Sequence, residues 1–385
     1  MRCSQRALAI AAASAALAAC DATTHQVSDS DFGAYEVSAT TWRDGLALAW
    51  YDTRDGNAEI YARFLDDDGR PTGAERRLTE TPAQSYEADI AATADGFAVA
   101  WYEKNADGAL RAQLGYWTRS GERLWHIALG AAGANSRNAI VRNYGDALFA
   151  AWIESDADSR ELVRGGWWNL AGDATRAPVT LGEASTTTWN LNAAIDAVGA
   201  AVVVFDAHVG TAAPELYLAE LTMDATRVTR ISADDGRLSK YPDIALGPQG
   251  AALTWFDERD GNREVYVNVG TLEHLRAGAE AAAWRVTKSP GHSIGAYAAW
   301  NGDRIGLAWS DDSSGSYEIY TQIFTVTGTP EAEPKRVTTT TTNSLIPAIR
   351  PWRNGFAIAW NEVERSQHPG HDDHNPSEVV VAFIP

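Results

Sequence analysis

Only two cysteines, Cys3 and Cys20, occur in the 385 residues, and that scarcity removes several function classes at once. No disulfide framework, zinc-finger spacing or C-x-x-C redox motif can be built from them. Long apolar runs are missing too. The stretch Ala7–Ala19 holds thirteen residues, and a helix needs about twenty to cross a bilayer. Positive charge is scarce beside negative: 32 Lys and Arg against 51 Asp and Glu leave a net charge of −19. Such a surface repels phosphate backbones, so no nucleic-acid partner is expected; it suits cations, basic patches on proteins or neutral glycans. The G-x-S-x-G, H-E-x-x-H, P-loop and dinucleotide signatures are absent in the contexts they require. No catalytic residue is assigned from sequence, and a non-enzymatic role is expected.

What is present begins with a leader. Arg2 and Arg6 form a positive segment ahead of Ala7–Ala19, the layout of an export signal. It closes on Leu17-Ala18-Ala19-Cys20, which resembles the lipobox of bacterial lipoproteins. That resemblance implies cleavage before Cys20, acylation of its thiol and a bacterial cell-envelope location, facing the periplasm or the cell surface. The alternative is ordinary secretory cleavage after residues 16–18. Asp21 resembles the inner-membrane retention signal of enterobacterial lipoproteins and leaves the choice of membrane open.

The body of the chain repeats. W-Y-D-T-R-D-G-N-A-E-I-Y from Trp50 returns at Trp255 as W-F-D-E-R-D-G-N-R-E-V-Y. Aligned on that Trp, the anchors are Trp50, Trp101, Trp152, Val204, Trp255, Trp309 and Trp360, spaced by 51, 51, 52, 51, 54 and 51 residues. One such unit cannot bury its own apolar face. Seven therefore predict an all-β, seven-bladed β-propeller of four-stranded blades, expected as a monomer. Residues 86–92 read as an inner strand, Phe97–Tyr102 as a second strand packed on both faces, Glu59–Leu65 as a third, and Arg77-Leu78-Thr79 as the end of a fourth. The last copy stops at Pro385 after its third strand, Glu378–Ile384. Thr24–Ser28 is the spare strand expected to complete that blade and close the ring, which removes an exposed edge. Residues 271–284 lengthen one loop and read as a short helix, while residues 363–377 extend the last polar turn. The chain thus divides into a signal peptide at 1–19, a lipidated N-terminus with the closing strand at 20–31, and the propeller at 32–385.

The pattern D-G-x-x-x-A-W-x-D-x-R-D-G-N-x-E-I-Y, closed by R-L-T, resembles the WD40-like repeat of TolB-type propellers. Asp44–Tyr61 with Arg77–Thr79, and Trp255–Tyr266 with Arg285–Thr287, carry it best. The resemblance implies the propeller fold, an envelope location and a protein-binding habit. Seven anchors depart from the six blades and extra domain of TolB itself. The S-x-D-x-G-x-T-W box of sialidases is absent.

Two residues after each anchor stands an acid: Asp52, Glu103, Glu154, Asp206, Asp257, Asp311 and Glu362. A second opens the third strand as Glu59, Glu161, Glu215, Glu264, Glu318 and Glu378. The first set lies where the second strands end, so it is expected at one mouth of the ring. Repetition in every copy favours a structural role, with each carboxylate accepting turn N–H groups and pairing with residues such as Arg54 and Arg259. The competing reading makes that face a site for a protein or peptide of the envelope. Asp52, Asp55, Asn57 and Glu59 also offer the hard oxygens Ca²⁺ takes, without the spacing of an EF-hand. Carboxylate pairs about 5–9 Å apart would suit glycan cleavage.

Two features break the repeat. His368, His371 and His374 crowd one loop beside Asp372 and Asp373, a set that suits Zn²⁺ or a similar ion. Trp189 enters the fourth copy on the acid-rich face, where it could stack on a sugar or a partner side chain. Two functions are therefore in play: a lipid-anchored scaffold binding protein through its acidic face, or a glycan-binding or glycan-cleaving propeller. A deep, asymmetric mouth joining Trp189, His208 and residues 368–374 favours the second; a shallow, repetitive one favours the first.

Overall fold

A computed structural model describes residues 24–30, 32–364 and 375–385. Seven antiparallel sheets of four strands form a ring, and the first strand of each lines its centre. These inner strands are Ala34–Trp42, Gln84–Ala92, Ser136–Tyr144, Leu191–Ile195, Ser239–Gly247, Ser293–Asn301 and Asn343–Trp352, for blades one to seven. Each second strand ends on its acid or just beyond it, directly beside the start of the inner strand, as Asp52 faces Ala34 and Asp257 faces Ser239. Inner-strand starts and second-to-third turns therefore share one face of the ring. We call it the mouth.

The large–small alternation of the second strand explains the ring. Leu46, Leu48 and Trp50 pack toward blade seven, while Ala47 and Ala49 pack toward blade two. All six anchor tryptophans are fully buried, and Trp50, Trp255 and Trp309 stack on third-strand Tyr61, Tyr266 and Tyr320. Each sheet is buried on both sides, so no blade is a separate domain.

The clasp forms in the register of the repeat. Thr24, His25 and Gln26 pair with Ala382, Val381 and Val380. In blade one, Thr79 Oγ1 donates to Glu59 at 2.5 Å, Arg77 Nε donates to the Thr79 carbonyl at 2.9 Å, and Leu78 is buried. In blade seven, Ser28 Oγ donates to Glu378, Gln26 Nε2 donates to the Ser28 carbonyl at 2.9 Å, and Val27 is buried. Ser28 lies one repeat of 51 residues before Thr79, so Thr24–Ser28 supplies the fourth strand of the last copy.

The extended loop of blade five contains the expected helix, Leu272–Ala277, capped by Thr271 Oγ1 accepting from the His274 N–H at 3.1 Å. Cys20, His368, His371 and His374 lie outside the described residues.

Candidate functional site

The acid after each anchor faces inward. Asp52, Glu154, Asp206, Asp257 and Asp311 are buried, and Glu103 and Glu362 partly so. Five accept a hydrogen bond from the indole Nε1 of their own anchor: Asp52, Glu103, Glu154, Asp257 and Glu362, at 3.2, 3.4, 3.3, 3.2 and 2.9 Å. Inner-strand or preceding hydroxyls supply more, with Ser239 Oγ donating to Asp257 at 2.8 Å and Ser293 Oγ to Asp311 at 2.6 Å. Arg54 and Arg259 pair with Asp52 and Asp257, each at 2.5 Å. Burial opposes ionisation of Asp257, yet the Arg259 guanidinium wins and holds its carboxyl below the usual range. The structure thus places these acids inside the blades, where they fasten strand to strand.

The oxygens considered for Ca²⁺ are likewise engaged by protein partners, and Arg77 bridges Asp55 and Glu59 at 3.2 and 3.1 Å. Asp52 takes Arg54, Asp55 takes the Tyr61 hydroxyl, Glu59 takes Thr79 and Arg77, and Asn57 donates to the Thr81 and Ala83 carbonyls. Among the described residues no group of three His, Cys, Asp or Glu side chains is set to hold a metal.

Inside the ring runs a channel of about 860 Å³ lined by the inner strands of all seven blades. Its mouth carries a backbone device with no sequence signature of its own. Six inner strands are bulged near their start, with the register slipping between Tyr35 and Ser38, Tyr86 and Asp89, Arg137 and Ile140, Lys240 and Asp243, Ile294 and Tyr297, and Leu345 and Ala348. The bulged residues Glu36, Glu87, Asn138, Tyr241, Gly295 and Ile346 have φ of 53°, 51°, 49°, 52°, 61° and 52°. Five of them are not glycine, and left-handed backbone costs an L-residue roughly 1–2 kcal/mol. A bulge re-aims a side chain, here at the channel mouth. Blade four alone pairs without a slip, starting at Leu191.

Aromatic rings connect these positions. Tyr35, Tyr51, Tyr86 and Tyr102 form a series across blades one and two, with successive centroids 5.1, 5.0 and 5.6 Å apart. Burial and then the Glu36 charge push the Tyr51 phenol up, so that ring stays neutral. Burial raises the Glu87 carboxyl to about 7, against the pull of the Arg137 guanidinium. Arg137 is itself held by Glu161 at 2.5 Å and by the Thr188 carbonyl at 2.9 Å.

The unbulged blade supplies Trp189, 49 % exposed on the channel, with Lys240 Nζ 3.8 Å over its ring. Asp206 fixes this corner: it accepts the Trp189 N–H at 2.7 Å and the Tyr241 N–H at 3.0 Å, joining blades four and five. Burial pushes its carboxyl up to about 6, against those two bonds. His208 does not converge with Trp189 on the channel; its Nε2 meets the Thr211 carbonyl at 2.8 Å in the second-to-third turn.

No family model matches the chain, and no curated protein does. Solved structures match widely in fold. A phage phi92 endosialidase superposes with a TM-score of 0.57 at 8 % identity, over 95 % of this chain and 69 % of that one. A puromycin-hydrolysing peptidase of Mycobacterium tuberculosis gives 0.56 at 12 % identity, over 90 % of this chain and 51 % of its own length. A subtype N10 neuraminidase-like protein of A/little yellow-shouldered bat/Guatemala/060/2010 gives 0.50 at 8 % identity, over 78 % of this chain and 94 % of that one. This chain has the propeller fold they share.

Sequence reasoning found Trp189 and missed the rest of the mouth. The signal lay in one column of the repeat. Residues 36, 87, 138, 190, 241, 295 and 346 are Glu, Glu, Asn, Asn, Tyr, Gly and Ile, varying while the anchor column is Trp in all but the fourth copy.

Proposed function

We propose that this protein is a glycan-binding propeller whose ligand sits in the mouth of the central channel. One observation carries the reading: one backbone device repeated around the mouth presents a side-chain set that does not repeat, beside a half-exposed Trp189. Sugars offer an apolar ring face and paired hydroxyls. Trp189 answers the first, and Glu36, Glu87 and Asn138 answer the second. The channel volume is in the range of small-ligand sites. The propellers named as an endosialidase and a neuraminidase-like protein are consistent with glycan recognition on this fold, though fold alone does not assign it.

The test is binding to a panel of oligosaccharides, with Trp189→Ala and Glu87→Gln compared against wild type. The expected result is at least a tenfold loss of affinity in both variants with melting temperature retained. Equal affinity in all three proteins, or no binding by wild type, overturns the reading.

A protein partner is the second reading, favoured by the exposed apolar rim of Phe32, Trp189 and Ile346, at 61, 49 and 42 % exposure. It would engage the rim rather than the buried ring of acids. Lipidation of Cys20 fits either reading and sets an orientation. Thr24 pairs with Ala382 near the end of the closing strand farthest from the mouth. Four residues span at most about 14 Å, so a lipid on Cys20 would hold the opposite face toward the membrane and turn the mouth outward. A TolB-type origin of the repeats would suit that envelope setting.

A further inference from the structure

Two arginines, Arg142 and Arg350, occupy the same repeat position on the inner strands of blades three and seven, and both line the channel. Their backbone contacts are equivalent. Arg142 Nε donates to the Ala193 carbonyl of the next blade at 2.6 Å and Nη1 to the Val141 carbonyl at 2.7 Å. Arg350 Nε donates to the Ala39 carbonyl of the next blade at 2.5 Å and Nη1 to the Ile349 carbonyl at 2.7 Å. Their side-chain partners differ. Arg142 is paired with Asp89 of the preceding blade at 2.5 Å and also reaches Asn192. The position equivalent to Asp89 is Tyr297 for Arg350, and the position equivalent to Asn192 is Ser38. Among the described residues no carboxylate lies within ion-pair distance of Arg350.

The missing acid stands one blade away. Asp243 of blade five is the counterpart of Asp89: it accepts the Ala298 N–H at 2.8 Å, as Asp89 accepts that of Val141 at 2.8 Å. The arginine that should follow it is Ala299. One ion pair of the repeat is thus intact, and a second is split into Asp243 and Arg350 on either side of Tyr297. A guanidinium enclosed by protein without a counter-ion is costly, and an anion reaching it gains accordingly. Burial and the Arg142 charge already depress the basicity of Arg350.

We propose that Arg350 and the Tyr297 hydroxyl form a carboxylate subsite in the channel, with Asp243 accepting a hydroxyl of the same ligand. Combined with the mouth reading, on which it rests, this makes the ligand an acidic sugar of the uronate type. The precedent is internal. The equivalent slot beside Arg142 is filled by the Asp89 carboxylate, which accepts Arg142 on one oxygen and the Ser38 hydroxyl on the other, at 2.8 Å for the latter.

The experiment titrates sodium glucuronate, glucose and sodium chloride at matched ionic strength, reading heat and melting temperature. Wild type is compared with Arg350→Gln and Tyr297→Asp, the latter giving Arg350 the carboxylate that Arg142 already has. Saturable binding of glucuronate at least tenfold tighter than glucose or chloride is expected, lost in both variants. Tyr297→Asp should melt at or above the wild-type temperature. A glucuronate effect no larger than that of chloride overturns the proposal, as does binding that survives in Arg350→Gln. Neutral oligosaccharides binding at Trp189 without competition from glucuronate would leave the mouth reading intact and sink this one alone. No sugar binding of either kind removes both.

Discussion

At the scale of single residues, the acids of this chain divide by whether burial or a partner wins. Asp257, held by Arg259, ionises below the usual range. Glu215 does not find that partner. Burial and the nearby charges of Glu280, Asp235 and Asp234 push it up to about 7, against a hydrogen bond from Ser232. Glu87 is raised to the same level by burial. Both bind a proton more tightly folded than unfolded, so the stability they contribute is full below about pH 4 and lost as pH rises through about 7. The melting temperature should therefore fall between pH 5 and 8, and Glu215→Gln should flatten that fall. A melting temperature that rises across this window, or an unchanged slope in the variant, contradicts the assignment. Asp257 acts in the opposite sense, at lower pH.

At the scale of elements, the inner strand separates fold from function. The second strand keeps its alternation because both faces are buried; the bulge keeps its backbone while its side chain varies. Ile346 shows the cost most plainly, as a β-branched residue at φ 52° that is 42 % exposed. Ile346→Gly should be neutral or stabilising by up to about 1 kcal/mol, where glycine in an ordinary strand loses 0.5–1 kcal/mol. Denaturant unfolding checks it, and a clear loss of stability means the left-handed backbone is not strained. The clasp is the other element with a direct test. Beginning the chain at Phe32 removes Val27 from the core and Ser28 from Glu378, so its melting temperature should drop well below that of the chain beginning at Asp21. Equal melting temperatures would mean the ring holds without it.

The same two strands explain what could be read in advance. Blade number, strand order and the clasp were legible because the anchor column repeats and Ser28 falls in register with Thr79. The short helix followed from the length of the loop. The mouth was largely hidden: a bulge is a slip between pairing partners, and pairing partners are not adjacent in sequence. Asp52 and its counterparts were the visible acids because they repeat, and they repeat because they fasten strand to strand. Glu36 and Glu87 sit in a column that varies from blade to blade, and Arg350 in one that is mostly alanine, so no repeated motif marked them.

At the scale of the whole molecule, seven nearly equivalent blades make a channel whose walls are not equivalent. Blades one and two bring Glu36 and Glu87, blade four brings Trp189, and blade seven brings an arginine without its acid. An anchor at Cys20 would leave this asymmetric end facing away from the membrane. Whether the mouth holds a glycan is read most directly from a crystal structure grown with the tightest oligosaccharide from the panel. The sugar is expected inside the channel, its ring on Trp189 and its hydroxyls on Glu36 or Glu87. Sugar bound on an outer groove, with the channel holding only water, would contradict the reading.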